Sequence, residues 1–142
     1  MEFITESARQ TQKIGRKVAT DLIKKTPTII ALTGDLGSGK TTFVQGFVKG
    51  LGIRKKIISP TFILMRTYKA RKAKMLYHLD LYRLENNFKE EMENLGVSDI
   101  WKEKNNILVI EWAEKIKNLL PKGTAWIRFE YLSDNKRKII IE

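Results

Sequence analysis

The sequence predicts one α/β domain over residues 1–142, a mixed β-sheet flanked by helices. Three observations carry this. Two short runs, Thr28–Leu32 and Ile107–Ile110, are apolar on both faces, as strands covered on both sides of a sheet must be. Segments with apolar residues at helical spacing stand between such runs, the alternation of an α/β fold. Strands also crowd around two turns, and hairpins of this kind mix antiparallel pairs into the sheet.

Each element has a local reason. Residues 7–25 place Ile14, Val18 and Leu22 four apart with Ala19 and Ile23 alongside, one apolar helical stripe with Ser7 as its N-cap. The strand 28–32 follows a proline and is β-branched. Next comes "GDLGSGKTT" (34–42), too rich in glycine to pack a core. The helix 41–52 follows: Phe43, Val44, Phe47, Val48 and Leu51 share a face, and Gly50 or Gly52 ends it. Residues 61–84 read as two strands around the basic turn Lys69–Lys74. In the second, Met75, Tyr77, Leu79 and Leu81 share one face and Leu76, His78, Asp80 and Tyr82 the other. Residues 88–96 form an acidic helix closing at Gly96. "ILVIEW" (107–112) is a buried strand ending in a carboxylate, and 124–132 with 137–142 make a final strand pair.

Composition narrows the function. Apolar residues make up 42% and charged residues 30%, a soluble globular balance. No apolar run approaches the roughly 20 residues that span a bilayer, so no membrane is expected, and the first ten residues lack the pattern of a secretory signal. With no cysteine there is no thiolate metal site, and a reducing cytoplasm fits. The formal net charge is +11, from 27 Lys+Arg against 16 Asp+Glu. That favours an acidic partner: nucleotide, nucleic acid or acidic protein. A merely lysine-decorated surface would read the same.

Gly34 to Thr41 match G-x-x-x-x-G-K-[ST], the P-loop, between a buried strand and an amphipathic helix. Gly37 and Gly39 free the backbone for positive φ, so successive N–H groups can converge on phosphate oxygens. The helix opening at Lys40 adds unpaired N–H groups and its dipole. Lys40, expected to stand exposed in the loop, supplies an ammonium for the β- and γ-phosphates, and the Thr41 hydroxyl is a hard ligand for Mg²⁺. Hydrolysis also needs carboxylates, and two stand at apolar strand ends. Glu111, behind four apolar residues, is the better metal candidate. Asp80 shares a face with His78 and could hold a water or the metal's outer shell. His78, the single histidine, reads equally as structural or functional. Thr61 in "SPTF" is either a switch threonine or a strand starter. The basic turns 69–74 and 135–138 lack aromatics and offer no base-stacking platform.

"GDLGSGKTTF", "SPTF", "YHLDLYRL" and "IEW", in this order, resemble the bacterial tRNA threonylcarbamoyladenosine biosynthesis ATPase subunit, the TsaE (YjeE) family, from about Thr11 to Pro121. The resemblance implies a P-loop NTPase-like fold and a cytoplasmic ATPase using ATP and Mg²⁺. It would work with the threonylcarbamoyl-transferase subunit and its paralogous partner (the TsaD and TsaB types), reaching tRNA through that complex. Carried over, Gly37 to Thr42 contact phosphates, Thr41 and Glu111 hold Mg²⁺, and Lys40, Asp80 and Glu111 are catalytic. Thr11 and Arg137 are implied beside the adenine. Ser38 stands where the family often has alanine, and Ala113 where it often has proline. A small-molecule kinase would use the same loop, and a non-catalytic tRNA-binding module would suit the charge.

Overall fold

The computed structural model describes residues 1–22, 24, 28–57 and 64–142. The elements run β1 (Glu2–Thr5), α1 (Ala8–Leu22), β2 (Thr28–Thr33), α2 (Lys40–Gly50), β3 (Met65–Lys69) and β4 (Met75–Asp80). They continue as α3 (Phe88–Leu95), α4 (Val97–Lys102), β5 (Asn106–Glu111), a 3₁₀ helix (Ala113–Leu119), β6 (Ala125–Tyr131) and β7 (Arg137–Ile141). One seven-stranded sheet has the order β1-β7-β6-β2-β5-β4-β3. Its centre is parallel, with β2 between β5 and β6 and β4 beside β5. Its edges are antiparallel: β1 on β7, β7 on β6, and β3 on β4. The sheet is mixed, as the sequence predicts.

The central strands alternate their cargo between two cores. Ile30 and Leu32 of β2, with Ile107 and Val109 of β5, join Phe43, Val44, Phe47 and Val18 beneath α1 and α2. Ile29 and Ala31, with Leu108 and Ile110, join Met92, Val97 and Ile116 beneath α3, α4 and the 3₁₀ helix. A strand buried on both faces has no polar residue to spare until it ends, which is why Glu111 marks the edge of the sheet. Ser7 caps α1 as expected, its Oγ accepting from Gln10 N at 3.1 Å. α1 lies close on α2 because glycines stand at the crossing: a Cβ on Gly46 would fall on the Gln12 carbonyl, and one on Gly15 on that of Phe43. This contact seats the start of α1 beside the P-loop.

Three elements escape the sequence reading. β1 is four residues long and is held by pairing with the distant β7 and by contacts of Phe3 and Thr5 with the core and α1. α4 has six residues, too few to show a period, and the acidic helix therefore ends at Leu95 with Gly96 in the left-handed region. The 3₁₀ helix starts from Trp112, whose φ of 61° turns the chain sharply off β5.

Candidate functional site

The P-loop leaves β2 and enters α2 through three glycines of positive φ: Gly34 (140°), Gly37 (79°) and Gly39 (108°). Gly39 precedes α2 with no side-chain cap on the first N–H groups. Uncapped donors at a helix start suit an anion. Beside a Cβ on Gly37 there is open space. The loop forms one wall of a cavity of about 470 Å³ that Lys40, Thr41, Asp80, Glu111 and Trp112 also line. A larger cavity, about 710 Å³, lies at the other end of α2, and among the described residues its lining includes neither the P-loop nor a carboxylate. Chemistry, and not size, marks the first as the candidate site.

Lys40 departs from the expected exposed position: the residue is 5% exposed. Its Nζ donates to the Gly34 carbonyl and lies 3.5 Å from the centre of the Trp112 ring. The helix start is pressed between the sheet edge and the turn after β5, so the side chain folds back over its own loop. Burial lowers the ammonium pKa below its usual 10.5, outweighing the opposing pull of Glu114, Glu111, Asp80 and Asp35.

Glu111 is also buried and uses both oxygens. Thr41 Oγ1 donates to Oε1 at 3.3 Å, and His78 Nε2 lies 2.6 Å from Oε2. A carboxylate can only accept, so Nε2 carries the hydrogen. Nδ1 is buried without a partner among the described residues. His78, 1% exposed, therefore bonds Glu111 and not Asp80, the neighbour on its own strand face. Asp80 pairs in register with Glu111 across β4 and β5, and its Oδ1 accepts from Tyr82 N at 3.0 Å. Desolvation first, then the Glu111 charge, raises its pKa above the usual 3.8.

The remaining sequence-selected residues divide. Thr42 lines the cavity, and Ser38 is buried with its Oγ unpartnered among the described residues. Thr11 is buried, and its hydroxyl bonds Thr5 Oγ1 at 2.7 Å. Arg137 donates from Nε to the Gly37 carbonyl at 3.1 Å and from Nη1 to Ser133, Asp134 and Lys136 carbonyls. Both lie against the loop: the Thr11 methyl is 3.8 Å, and Arg137 Cγ 3.5 Å, from where a Cβ on Gly39 would stand. Thr61 and the rest of "SPTF" lie outside the described residues. Sequence reasoning missed Trp112, the lid on Lys40, although the "IEW" motif contains it. It also missed Lys115, whose Nζ donates to the carbonyls of Leu81, Tyr82 and Leu84 at 2.8–2.9 Å. These bonds fix the turn after Asp80; one lysine in a lysine-rich chain gives no signal of them.

The donors suit a nucleotide with Mg²⁺. Thr41 and Glu111 present hard oxygens side by side, while no cluster of three His, Asp or Glu that could cage a metal occurs among the described residues. Mg²⁺ is commonly held that way, by one or two protein oxygens with phosphates and waters completing the shell. A mixed sheet whose parallel central strand feeds a P-loop and then a helix defines the class, a P-loop NTPase-like α/β protein.

The particular family follows from comparison. The model of the family "Threonylcarbamoyl adenosine biosynthesis protein TsaE" matches residues 5–139. Proteins named tRNA threonylcarbamoyladenosine biosynthesis protein TsaE are similar over most of the chain. The one from Treponema pallidum is 36% identical, covering 99% of each chain; that from Bacillus subtilis is 34% identical, covering 98% of this chain and 83% of its own. The solved structure described as Bacillus subtilus YdiB superposes with a TM-score of 0.76 at 29% identity, over 98% of this chain and 82% of that one. The chain belongs to the TsaE family.

Proposed function

We propose that this protein is the ATPase subunit of the complex that forms N6-threonylcarbamoyladenosine next to the anticodon of tRNA. It binds and hydrolyses Mg-ATP in the cytoplasm to support turnover of the transferase subunit and its paralogous partner. The observation that carries the reading is the Thr41–Glu111 pair, 3.3 Å apart, at the mouth of a P-loop in a chain of the TsaE family.

Each residue has a task. The loop from Gly37 to Thr42 offers backbone N–H groups to the phosphates, and Lys40 exchanges the Gly34 carbonyl and the Trp112 ring for phosphate oxygens. Thr41 and Glu111 would hold Mg²⁺, and the ion would supply charge neutralisation on the transferring phosphoryl group. His78 keeps Glu111 turned toward Thr41 through its 2.6 Å bond. Asp80, pinned by the Tyr82 amide, is the carboxylate available to orient the attacking water. Thr11 and Arg137 support the loop, and through Gly39 they border the place of the nucleotide's base.

The test is phosphate release from Mg-ATP by the purified chain, alone and with both partner subunits. Release that requires Lys40 and Mg²⁺ is the expected result. Transfer of the phosphoryl group to an added nucleoside without free phosphate would make the protein a kinase instead.

A further inference from the structure

We infer that the protein carries a second anion site, a groove for the phosphodiester backbone of RNA, at the end of α2 opposite the P-loop. The two sites are separated by the length of α2, about 16 Å for an 11-residue helix. The groove is the cavity of about 710 Å³, and its lining includes six cations, Arg16, Lys49, Arg54, Lys55, Lys56 and Arg71, with no acidic residue among the described residues. A smaller adjoining cavity of about 250 Å³ shares Arg16 and Arg71 and adds Lys24 and Lys72. None of these eight takes part in an ion pair among the described residues.

The groove has a defined frame. Arg71 N donates to the Leu51 carbonyl at 3.0 Å, tying the β3–β4 turn to the end of α2. The Arg71 side chain lies across Gly52, where a Cβ would collide with it, and Gly52 holds a φ of 77°. Opposite, Gln12 and Gln45 are joined by a 3.1 Å bond between α1 and α2. Lysines at a helix C-terminus also complement its dipole, but that benefit fades within the last turn. It accounts for Lys49 and not for cations on α1 and on the β3–β4 turn.

The charge pattern chooses the occupant. Cores of protein interfaces are depleted in lysine and carry mixed polar rims, whereas a single-sign concave patch is the footprint of a polyanion. Among the described residues no aromatic side chain lines the groove, so the contacts read backbone phosphates and not base sequence. That the polyanion is RNA rests on the tRNA-modification reading of the family; the site itself does not depend on ATP hydrolysis.

Binding of an unmodified tRNA transcript to the full chain, without nucleotide, is measured by fluorescence anisotropy across a salt series. Each neutralised phosphate contributes about −0.7 to −0.9 to the slope of log K against log salt. Arg54→Gln/Lys55→Gln/Lys56→Gln is expected to weaken binding at least about tenfold and to flatten the slope by about 2. Lys89→Gln/Lys117→Gln/Lys122→Gln removes the same charge from exposed positions outside the groove and is expected to leave the slope unchanged. Arg16→Gln gives a second reading from α1, and unchanged nucleotide affinity certifies that each variant is folded. Equal effects of the two triple variants would overturn the proposal. So would tRNA binding indifferent to the groove triple while docking of a protein subunit is lost. Absence of ATP hydrolysis, with tRNA binding still groove-dependent, would remove the ATPase reading and leave this one standing.

Discussion

Lys40 illustrates how a candidate phosphate-binding residue can oppose the fold that holds it. Burial disfavours its charged form, so the folded chain releases that proton more readily than the unfolded chain, whose lysine titrates near 10.5. The unfolded state then binds more protons as pH climbs toward 10.5, and stability attributable to this group rises with pH. Lys40→Met removes the titration. In thermal melts of nucleotide-free protein, the wild type is expected to gain on Lys40→Met as pH rises through the window below 10.5. The same variant is expected to lose Mg-ATP binding. A midpoint difference flat with pH would mean the ammonium is not held at a cost. The two carboxylates call for separate tests. Asn at position 80 keeps the oxygen that accepts from Tyr82 N, so Asp80→Asn should preserve the turn and nucleotide affinity while cutting hydrolysis by about 10²–10⁴-fold. Glu111→Gln should instead weaken the Mg²⁺ dependence of nucleotide binding, read by titration with and without the metal. The P-loop and both carboxylates were legible because their chemistry is local: a fixed spacing, and an acid where an apolar run stops. The burial of Lys40 under Trp112 and the His78–Glu111 bond were not, because each joins residues remote in sequence and depends on sheet register.

Among the elements, the strands buried on both faces and the amphipathic helices announced themselves, since their periods fill a whole window of sequence. β1, α4 and the 3₁₀ helix did not; each is short and is fixed by what it packs against. The crossing of α1 on α2 was equally invisible, because a glycine inside a helix reads as a weak point until its neighbour is known. Its consequence is functional as well as structural. Gly46→Ala places a methyl group on the Gln12 carbonyl, and backbone cannot yield as a flexible side chain would. The helices must part, at a cost of about 1–3 kcal/mol, as overpacked cores typically pay. Because α1 carries Thr11 to the back of Gly39, nucleotide affinity is expected to fall along with the thermal midpoint. A loss of stability with affinity intact would show that the loop does not lean on α1.

The assembled protein offers a candidate phosphate cradle and candidate metal ligands, but the arginines that line the cavity are bonded to backbone or stand at its rim. Of the two arginines lining the cavity, Arg137 is spent on four backbone carbonyls and Arg83 is exposed at the edge. Arg66 lies on β3, opposite His78 in register. A P-loop protein without an arginine on the γ-phosphate hydrolyses slowly, and a charge or loop-ordering contact supplied in trans raises the rate by about 10³–10⁵. Slow hydrolysis by the isolated chain, accelerated by the transferase subunits, is therefore expected. With a net charge of +11, docking should draw on complementary charge, and the acceleration should decline as salt screens it, over a distance of about 8–10 Å at 0.10–0.15 M. Phosphate release is measured with the chain alone, then with the subunits, then with tRNA, each across a salt series. If tRNA joins through the basic groove, its contribution falls more steeply with salt than that of the proteins, since counterion release adds to screening. Fast turnover by the chain alone, indifferent to subunits, tRNA and salt, would show that its own residues complete the site, and Arg83 would become the first position to substitute.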